Sequence, residues 1–334
     1  MNSENPDLSV VVPYFNQPEQ LREALADLRA QKNIRLQVIV VDDISDKPCG
    51  TLVEEFQKTG LDITLLRQER RSYTLAGRLR GMCHAKGRWL AFMDADDRVV
   101  SDTAYSRAVR EAEDAAVDIL HFQVLGIDRK GFISHRPQAG PFHEGRLEGE
   151  EIFSAWANAV FAAHSVWNKL YSRTLYTKIA ALKHDLKIVR IEDFYLSTYF
   201  MFFARSYASS SLAVYKYYLP AETHLAKVSG RAFDALRMFW HLPARFREFG
   251  LPPELGDKLQ GYLKALMTIN GGRLCGFLPD SIWKSRPFEL DFSSPQLGTV
   301  LEYGTREEFL LLLIAINASN VAKLRDLKAL IVHE

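Results

Sequence analysis

Four apolar runs, LSVVVP, LQVIVVDD, DITLLR and WLAFMD, recur through the first hundred residues with amphipathic stretches between them. That alternation constrains the fold more than any other feature of the chain. The stretch PEQLREALADLRAQ puts Leu21, Leu25 and Leu28 on one helical face, and further helices are expected over 51–59 and 74–85. Continuously apolar strands separated by helices imply an α/β fold whose mostly parallel sheet is covered on both faces. In such sheets ligands gather at the carboxyl ends of the strands. Both VVDD and FMDADD fall at such ends.

Beyond Asp97 the pattern becomes mixed. A helix over about 102–115 leads to the strand VDILHFQVL, a turn at DRKG, and FISHR. RIEDFYLSTYFMFFARS reads as a buried helix with Glu192 and Asp193 in its first turn, and SLAVYKYYL follows as a strand. From about residue 230 the chain is mainly helical in pattern, which gives an expected division into 1–229 and a helical C-terminal region over 230–334. The apolar face of REEFLLLLIAINASNVAKLRDLKALIV must be covered by the rest of the protein, by a second copy or by a membrane surface, and packing within the protein is the favoured reading.

Charge and cysteine usage exclude several classes. With 42 basic and 41 acidic side chains there is no net field to attract nucleic acid, and a peripheral membrane contact would have to be shallow and apolar. Cys49, Cys83 and Cys275 are odd in number and far apart, which argues for free thiols in a reducing compartment. MNSENPDLSVVVPYF does not read as a signal peptide, and FLLLLIAI (Phe309 to Ile316) is too short to span a bilayer. The expected location is cytoplasmic, with the inner face of the membrane as an alternative.

FMDADD places Asp94, Asp96 and Asp97 directly after an apolar run. Like charges that close disfavour one another unless water, hydrogen bonds or a cation compensates them. In a strand, Asp94 and Asp96 would share a face, and a turn just beyond could bring Asp97 towards them. A hard divalent cation would suit this pair; magnesium, for one, uses one or two carboxylates plus waters and substrate phosphates. An Asp-rich turn with helix-capping duties is the competing reading.

The combination of VVVPYFNQPEQLREALADLRAQ, LQVIVVDDISD and AKGRWLAFMDADD, with the later ED at Glu192 and Asp193, resembles the family 2 inverting glycosyltransferases of GT-A fold, of the type that makes bacterial cell-surface polysaccharides. The resemblance runs over roughly residues 8–230. It implies a Rossmann-like nucleotide-sugar half over about 1–100 and an acceptor half over about 101–229. It further implies that Pro13, Tyr14, Asn16, Asp42 and Asp43 hold the nucleotide of a UDP-sugar donor. A carboxylate there suits a uracil imide, since it only accepts and the imide N–H must donate. LAGRLRG (Leu75 to Gly81) keeps the Arg78 and Gly81 of the family's ARN-G pattern but has Leu79 in place of its asparagine. The resemblance places Arg78 with Asp94 and Asp96 around the donor, with Asp96 and Asp94 as the carboxylates for Mn2+ or Mg2+, and makes Asp193 the general base with Glu192 beside it. HSVWNKLYSRTLY implies that Trp167, Asn168 and Lys169 line the side of a saccharide or lipid-linked acceptor, although packing is an equal role for Trp167. His224 could complete a metal shell, though a lone histidine is more often structural. Arg70 and Arg71 could reach phosphates but read more readily as solvated.

Rival functions fit less well. A haloacid dehalogenase-type phosphohydrolase needs Thr or Val where this chain has Arg98, and no strand is followed by the GxGxxG of a dinucleotide oxidoreductase. A nucleotidyltransferase is disfavoured by the ED helix start. A degenerate domain that binds sugar nucleotide without turnover is supported mainly by the altered LAGRLRG.

Overall fold

The computed structural model describes residues 5–127, 133–134, 144–158, 164–218, 225–275 and 295–317. The chain forms two compact units, one of residues 1–184 with 192–220 and one of residues 185–191 with 221–334. The first carries β1 (Leu8–Tyr14), α1 (Pro18–Arg29), β2 (Leu36–Asp42), α2 (Gly50–Lys58), β3 (Ile63–Arg67), α3 (Tyr73–His84), β4 (Trp89–Phe92), β5 (Arg98–Val99), α4 (Ala104–Asp114) and β6 (Ile119–Ile127). It continues through β7 (Ile133–Ser134), β8 (Arg146–Glu148), α5 (Glu150–Ala157), β9 (Lys169–Ser172), α6 (Arg173–Ala180), α7 (Glu192–Phe203) and β10 (Ser206–Tyr218).

Its ten-stranded sheet runs in the order β3-β2-β1-β4-β9-β6-β10-β5, with β7 beside β6 and β8 beside β10. The parallel part is β3-β2-β1-β4, where Val10, Val11 and Val12 of β1 and Val38, Ile39 and Val40 of β2 are fully buried. Strands covered on both faces carry such unbroken apolar runs because no position along them meets water. Pro18 opens α1, where its missing N–H costs nothing, and Leu21, Ala24, Leu25 and Leu28 form the buried stripe. Helix α3 lies close on β1 at Gly81, where any Cβ would come within 2.4 Å of Val11.

The expectation of a mostly parallel sheet holds only for that part. Strand β9 pairs antiparallel with both β4 and β6, and β10 runs parallel to β6 but antiparallel to β5 and β8, so the sheet is mixed. Its central inversion comes from the four residues Lys169–Ser172, within a segment whose composition points to ligand contact. A strand this short gives almost no periodic signal.

The second unit contains α8 (Leu225–Glu248), α9 (Pro253–Cys275) and the helices Pro295–Leu301 and Arg306–Asn317. Phe233, Leu236, Phe239 and Phe246 of α8 and Leu259, Leu263 and Met267 of α9 are buried at helical spacing. No helix among the described residues is long and apolar enough to cross a membrane.

Candidate active site

The loops after β1 and β2 are knitted together by their own polar groups. Asp42 is buried; its Oδ1 accepts from the Ser45 N–H at 2.9 Å and its Oδ2 pairs with Arg67 at 3.3 Å. Asp43 accepts from the backbone N–H groups of Ser72 (2.7 Å) and Tyr73 (2.9 Å) at the start of α3 and pairs with Arg71 at 2.8 Å. Asn16 sits at φ 55°, a left-handed conformation that asparagine tolerates; its Oδ1 accepts from the Lys47 N–H at 3.0 Å. The Tyr14 hydroxyl donates to the Lys47 carbonyl at 2.5 Å, and burial with the nearby Cys49 and Asp42 pushes its pKa up to about 12. Pro13 lies over Gly77 of α3. Arg71, which the sequence reads more readily as solvated, has partners here that sequence reasoning missed: its guanidinium lies 3.3 Å from the centroid of the Phe15 ring while it pairs with Asp43. The signal was the aromatic in PYFN together with the basic QERRS, which spacing alone does not connect.

The second acidic group differs from the strand-face expectation. Strand β4 stops at Phe92, and Asp94 to Asp97 form a turn in which the Asp97 N–H donates to the Asp94 carbonyl at 3.1 Å. Consecutive Asp residues favour such a turn over continued pairing. Asp96 projects to solvent, while Asp97 turns inward and is buried, so the three carboxylates do not converge. Asp97 accepts from the Tyr215 hydroxyl at 2.9 Å and from the Tyr218 N–H at 3.0 Å, and that same Tyr215 oxygen accepts from the Asp94 N–H at 2.9 Å. Burial, with the charges of Asp94 and Asp96, raises the Asp97 pKa to about 9. Surrounding protein and the Asp94 charge also push Asp96 upward.

Arg78 ties this turn to the start of α7. Its side chain is fully buried in α3; Nη2 donates to Asp94 at 2.8 Å and Nη1 to Glu192 at 3.2 Å and to Asp193. Glu192 and Asp193 lie 114 and 115 residues further along the chain. Burial opposes the Arg78 charge, but Asp193, Asp94 and Glu192 outweigh it and raise its pKa. Its Nε is buried without a partner. Burial raises Asp193 to about 7; Arg78 pulls it down, and Glu192 and Asp94 push it up. Its side chain keeps 27 % of its surface exposed, so a substrate hydroxyl could reach it.

Trp167, Asn168 and Lys169 are engaged internally. Trp167 is stacked between Tyr215 and Tyr217, each with its centroid at 4.9 Å. Asn168 Oδ1 accepts from Ser165 (3.0 Å) and from Lys169 Nζ (2.7 Å), and its Nδ2 faces His121 Nε2 at 2.7 Å. Lys169 is fully buried; burial lowers its pKa to about 7 and the Asp193 charge works the other way. His224 lies outside the described residues.

Residues 9–203 match the family model described as Glycosyl transferase family 2. The chain belongs to that family. It is 25 % identical over 280 residues to EpsH of Bacillus subtilis, a match that covers 80 % of this chain and 74 % of EpsH. Among solved structures it resembles S. aureus TarS 1-349 in complex with UDP-GlcNAc (TM-score 0.54, 17 % identity, covering 98 % of this chain and 92 % of that one). It also resembles the mannosyltransferase PcManGT from Pyrobaculum calidifontis in complex with GDP-Man and Mn2+ (TM-score 0.53, 16 % identity, covering 99 % and 82 %). The chain spans 55 % of the longer TarS chain. These likenesses establish the GT-A fold, with the mainly helical C-terminal region expected from the sequence.

No group of three or more His, Cys, Asp or Glu among the described residues could hold a metal by itself. For this family 2 chain the donor set still fits magnesium or manganese, which need only one or two carboxylates when phosphates and water complete the shell. Asp96 meets that need as a solvent-facing carboxylate, and Asp94 stands two residues away with Oδ1 on Arg78.

Proposed function

We propose that this glycosyltransferase moves a sugar from a UDP-sugar donor to a hydroxyl of a saccharide or lipid-linked saccharide acceptor, with inversion at the anomeric carbon and Asp193 as general base. The observation that carries the reading is the junction at Arg78, which brings Asp193 to the acidic turn of Asp94 although the two are far apart in sequence. A base whose pKa lies near 7 is matched to taking a proton from an alcohol at neutral pH. The bound nucleotide sugars of the TarS and PcManGT structures support a nucleotide diphosphate donor.

In this reading Asp42 and Asp43, fixed in place by Arg67 and Arg71, face the nucleobase side, and residues up to about 100 form the donor half. Mn2+ or Mg2+, held by Asp96 with Asp94 beside it, would act as a Lewis acid that neutralises charge on the departing diphosphate. Asp193 accepts the proton of the acceptor hydroxyl as that oxygen bonds to the anomeric carbon. The bond from that carbon to the phosphate oxygen breaks, and the nucleoside diphosphate leaves with the electron pair. Arg78 fixes the Asp193 carboxylate and keeps Glu192 and Asp94 from driving it fully neutral.

Asp193→Asn keeps size and polarity while removing the basic carboxylate. Turnover should fall by roughly a hundredfold or more, the usual scale of general-base contributions, while calorimetric affinity for UDP with Mn2+ stays at the wild-type value. In the wild type, kcat/KM should rise with pH to a plateau above about 7, because only ionised Asp193 accepts the proton. Wild-type turnover in the variant, or a product that keeps the donor's anomeric configuration by NMR, sinks the assignment.

A further inference from the structure

Asp234 is a fully buried carboxylate on α8, in the helical unit. A single oxygen, Oδ2, accepts from three consecutive backbone N–H groups: Val189 at 2.9 Å, Arg190 at 2.6 Å and Ile191 at 3.1 Å. A carboxylate that collects neighbouring amides in this way fixes the peptide planes of that segment, and each bond is strengthened by the charge. Its other oxygen faces Arg237 at 3.4 Å. Arg237 in turn donates to the Lys187 carbonyl at 3.0 Å, to the Tyr303 carbonyl at 2.7 Å and to both oxygens of Glu308 at 2.7 and 2.8 Å. Arg190 lies across Gly230, where any Cβ would come within 2.5 Å of its Cγ. Residues 185–191 thus belong to the helical unit by their own contacts, although the chain on either side of them belongs to the other unit.

The anchored segment leads directly into the candidate base. Glu192 and Asp193, the two residues after Ile191, open α7. We infer that Asp234 is a positioning residue for the transfer reaction: by holding the Val189–Ile191 peptides it fixes the backbone that runs directly into Glu192 and Asp193. The inference rests on the assignment of Asp193 as base and deepens it by naming what holds the peptides just before it. Asp234 touches no substrate. Its effect travels through one covalent junction, the Ile191–Glu192 peptide bond, and displacement of a reacting group by about 1 Å is enough to cost on the order of a hundredfold in rate.

The test compares Asp234→Ala, Asp234→Asn and Asp193→Asn in the full chain. Hydrogen exchange needs no ligand: in Asp234→Ala the amides of Val189 to Ile191 and those of Tyr195 to Thr198 in the first turns of α7 should lose protection, while those of β1 and β2 keep it. Unchanged exchange at Tyr195 to Thr198 overturns the proposal. UDP release from UDP-GlcNAc with Mn2+, water serving as acceptor, supplies the second readout. Turnover per UDP-binding molecule should fall about tenfold or more in Asp234→Ala, with the calorimetric UDP affinity unchanged. Asp234→Asn, which keeps one neutral acceptor oxygen and the side-chain volume, should fall less and should carry the decision if the alanine variant does not fold. Equal turnover per binding-competent molecule in the wild type and in whichever Asp234 variant folds overturns the proposal. A drop in Asp193→Asn with none in the Asp234 variants removes only the positioning role, whereas wild-type turnover in Asp193→Asn removes the base assignment on which it rests.

Discussion

The two acidic strand ends, Asp42 with Asp43 and Asp94 with Asp96, look alike in sequence and are balanced differently in space. At the first, each carboxylate has its own arginine and its own backbone donors: Arg67 and the Ser45 N–H for Asp42, Arg71 and the Ser72 and Tyr73 N–H groups for Asp43. At the second, one guanidinium serves Asp94, Glu192 and Asp193 together, and Asp96 projects towards water. The first is locally neutral and its carboxylates hold loops in shape. The second has more carboxylates than cations: burial first, and then the neighbouring carboxylates, push Asp96 and Asp193 upward, and at Asp193 Arg78 only partly opposes this. The first cluster is balanced within the protein; the second is the one to which the proposed function assigns the metal cation.

The sharpest way to break this contrast is to remove its one shared cation. Arg78→Leu leaves Asp94, Glu192 and Asp193 facing one another, and unpaired buried charges of this kind cost about 3–5 kcal/mol. Urea unfolding at pH 8 should show that loss, and it should shrink at pH 5, where Asp193 is protonated in the fold. A loss independent of pH would mean that Arg78 matters for packing alone. Next in size is Asp96→Asn, which should weaken Mn2+-dependent UDP binding by at least roughly tenfold to a hundredfold, the scale already seen when only an outer-shell partner of a metal ligand is lost, without lowering stability. Equal calorimetric affinity would take Asp96 out of the site.

Lys169 offers a test of the same electrostatics from the cationic side. Its folded pKa of about 7 lies below the ordinary lysine value of 10.5, so between these limits the unfolded chain binds more protons. Its contribution to stability is complete above about 10.5 and is lost as pH falls towards 7. Stability should therefore rise by about 1 kcal/mol per pH unit just above pH 7, and Lys169→Met should flatten that slope. The same slope in both proteins would place the proton elsewhere. The smallest effect is expected at the balanced cluster: Asp43→Ala removes the acceptor at the start of α3 and should cost about 1 kcal/mol, as lost helix caps do. A loss as large as that of Arg78→Leu would erase the distinction between the clusters.

The parts of the site that the sequence made legible are those that depend on short-range pattern. The apolar runs of β1, β2 and β4 and the acids at their ends stand close to where periodicity puts them, because parallel strands covered on both faces leave an unbroken apolar signature. The ED pair opens a helix, as its position ahead of a long apolar run implies. The hidden parts depend on distant approach. Burial of Arg78 needs α7 to arrive more than a hundred residues later, and nothing in LAGRLRG distinguishes a buried tether from a phosphate contact. Trp167 and Asn168 suggest ligand contact because their chemistry suits a sugar, yet the same aromatic face and amide serve the Tyr215–Tyr217 stack and the His121 contact. The two-residue spacing of Asp94 and Asp96 fits a strand and a turn equally well, so pattern alone does not choose the turn that forms.

Tyr215 holds the Asp94 amide from 121 positions further along the chain. On a translating ribosome, where roughly 5–20 residues are added per second, about ten seconds separate synthesis of the acidic turn from synthesis of the strand that clasps it. Through that interval the nascent protein has made the parallel strands β1 to β4 but lacks β10. Premature termination before Ser206 would release a chain with an unclasped acidic loop and an unpaired β6 edge open to other chains.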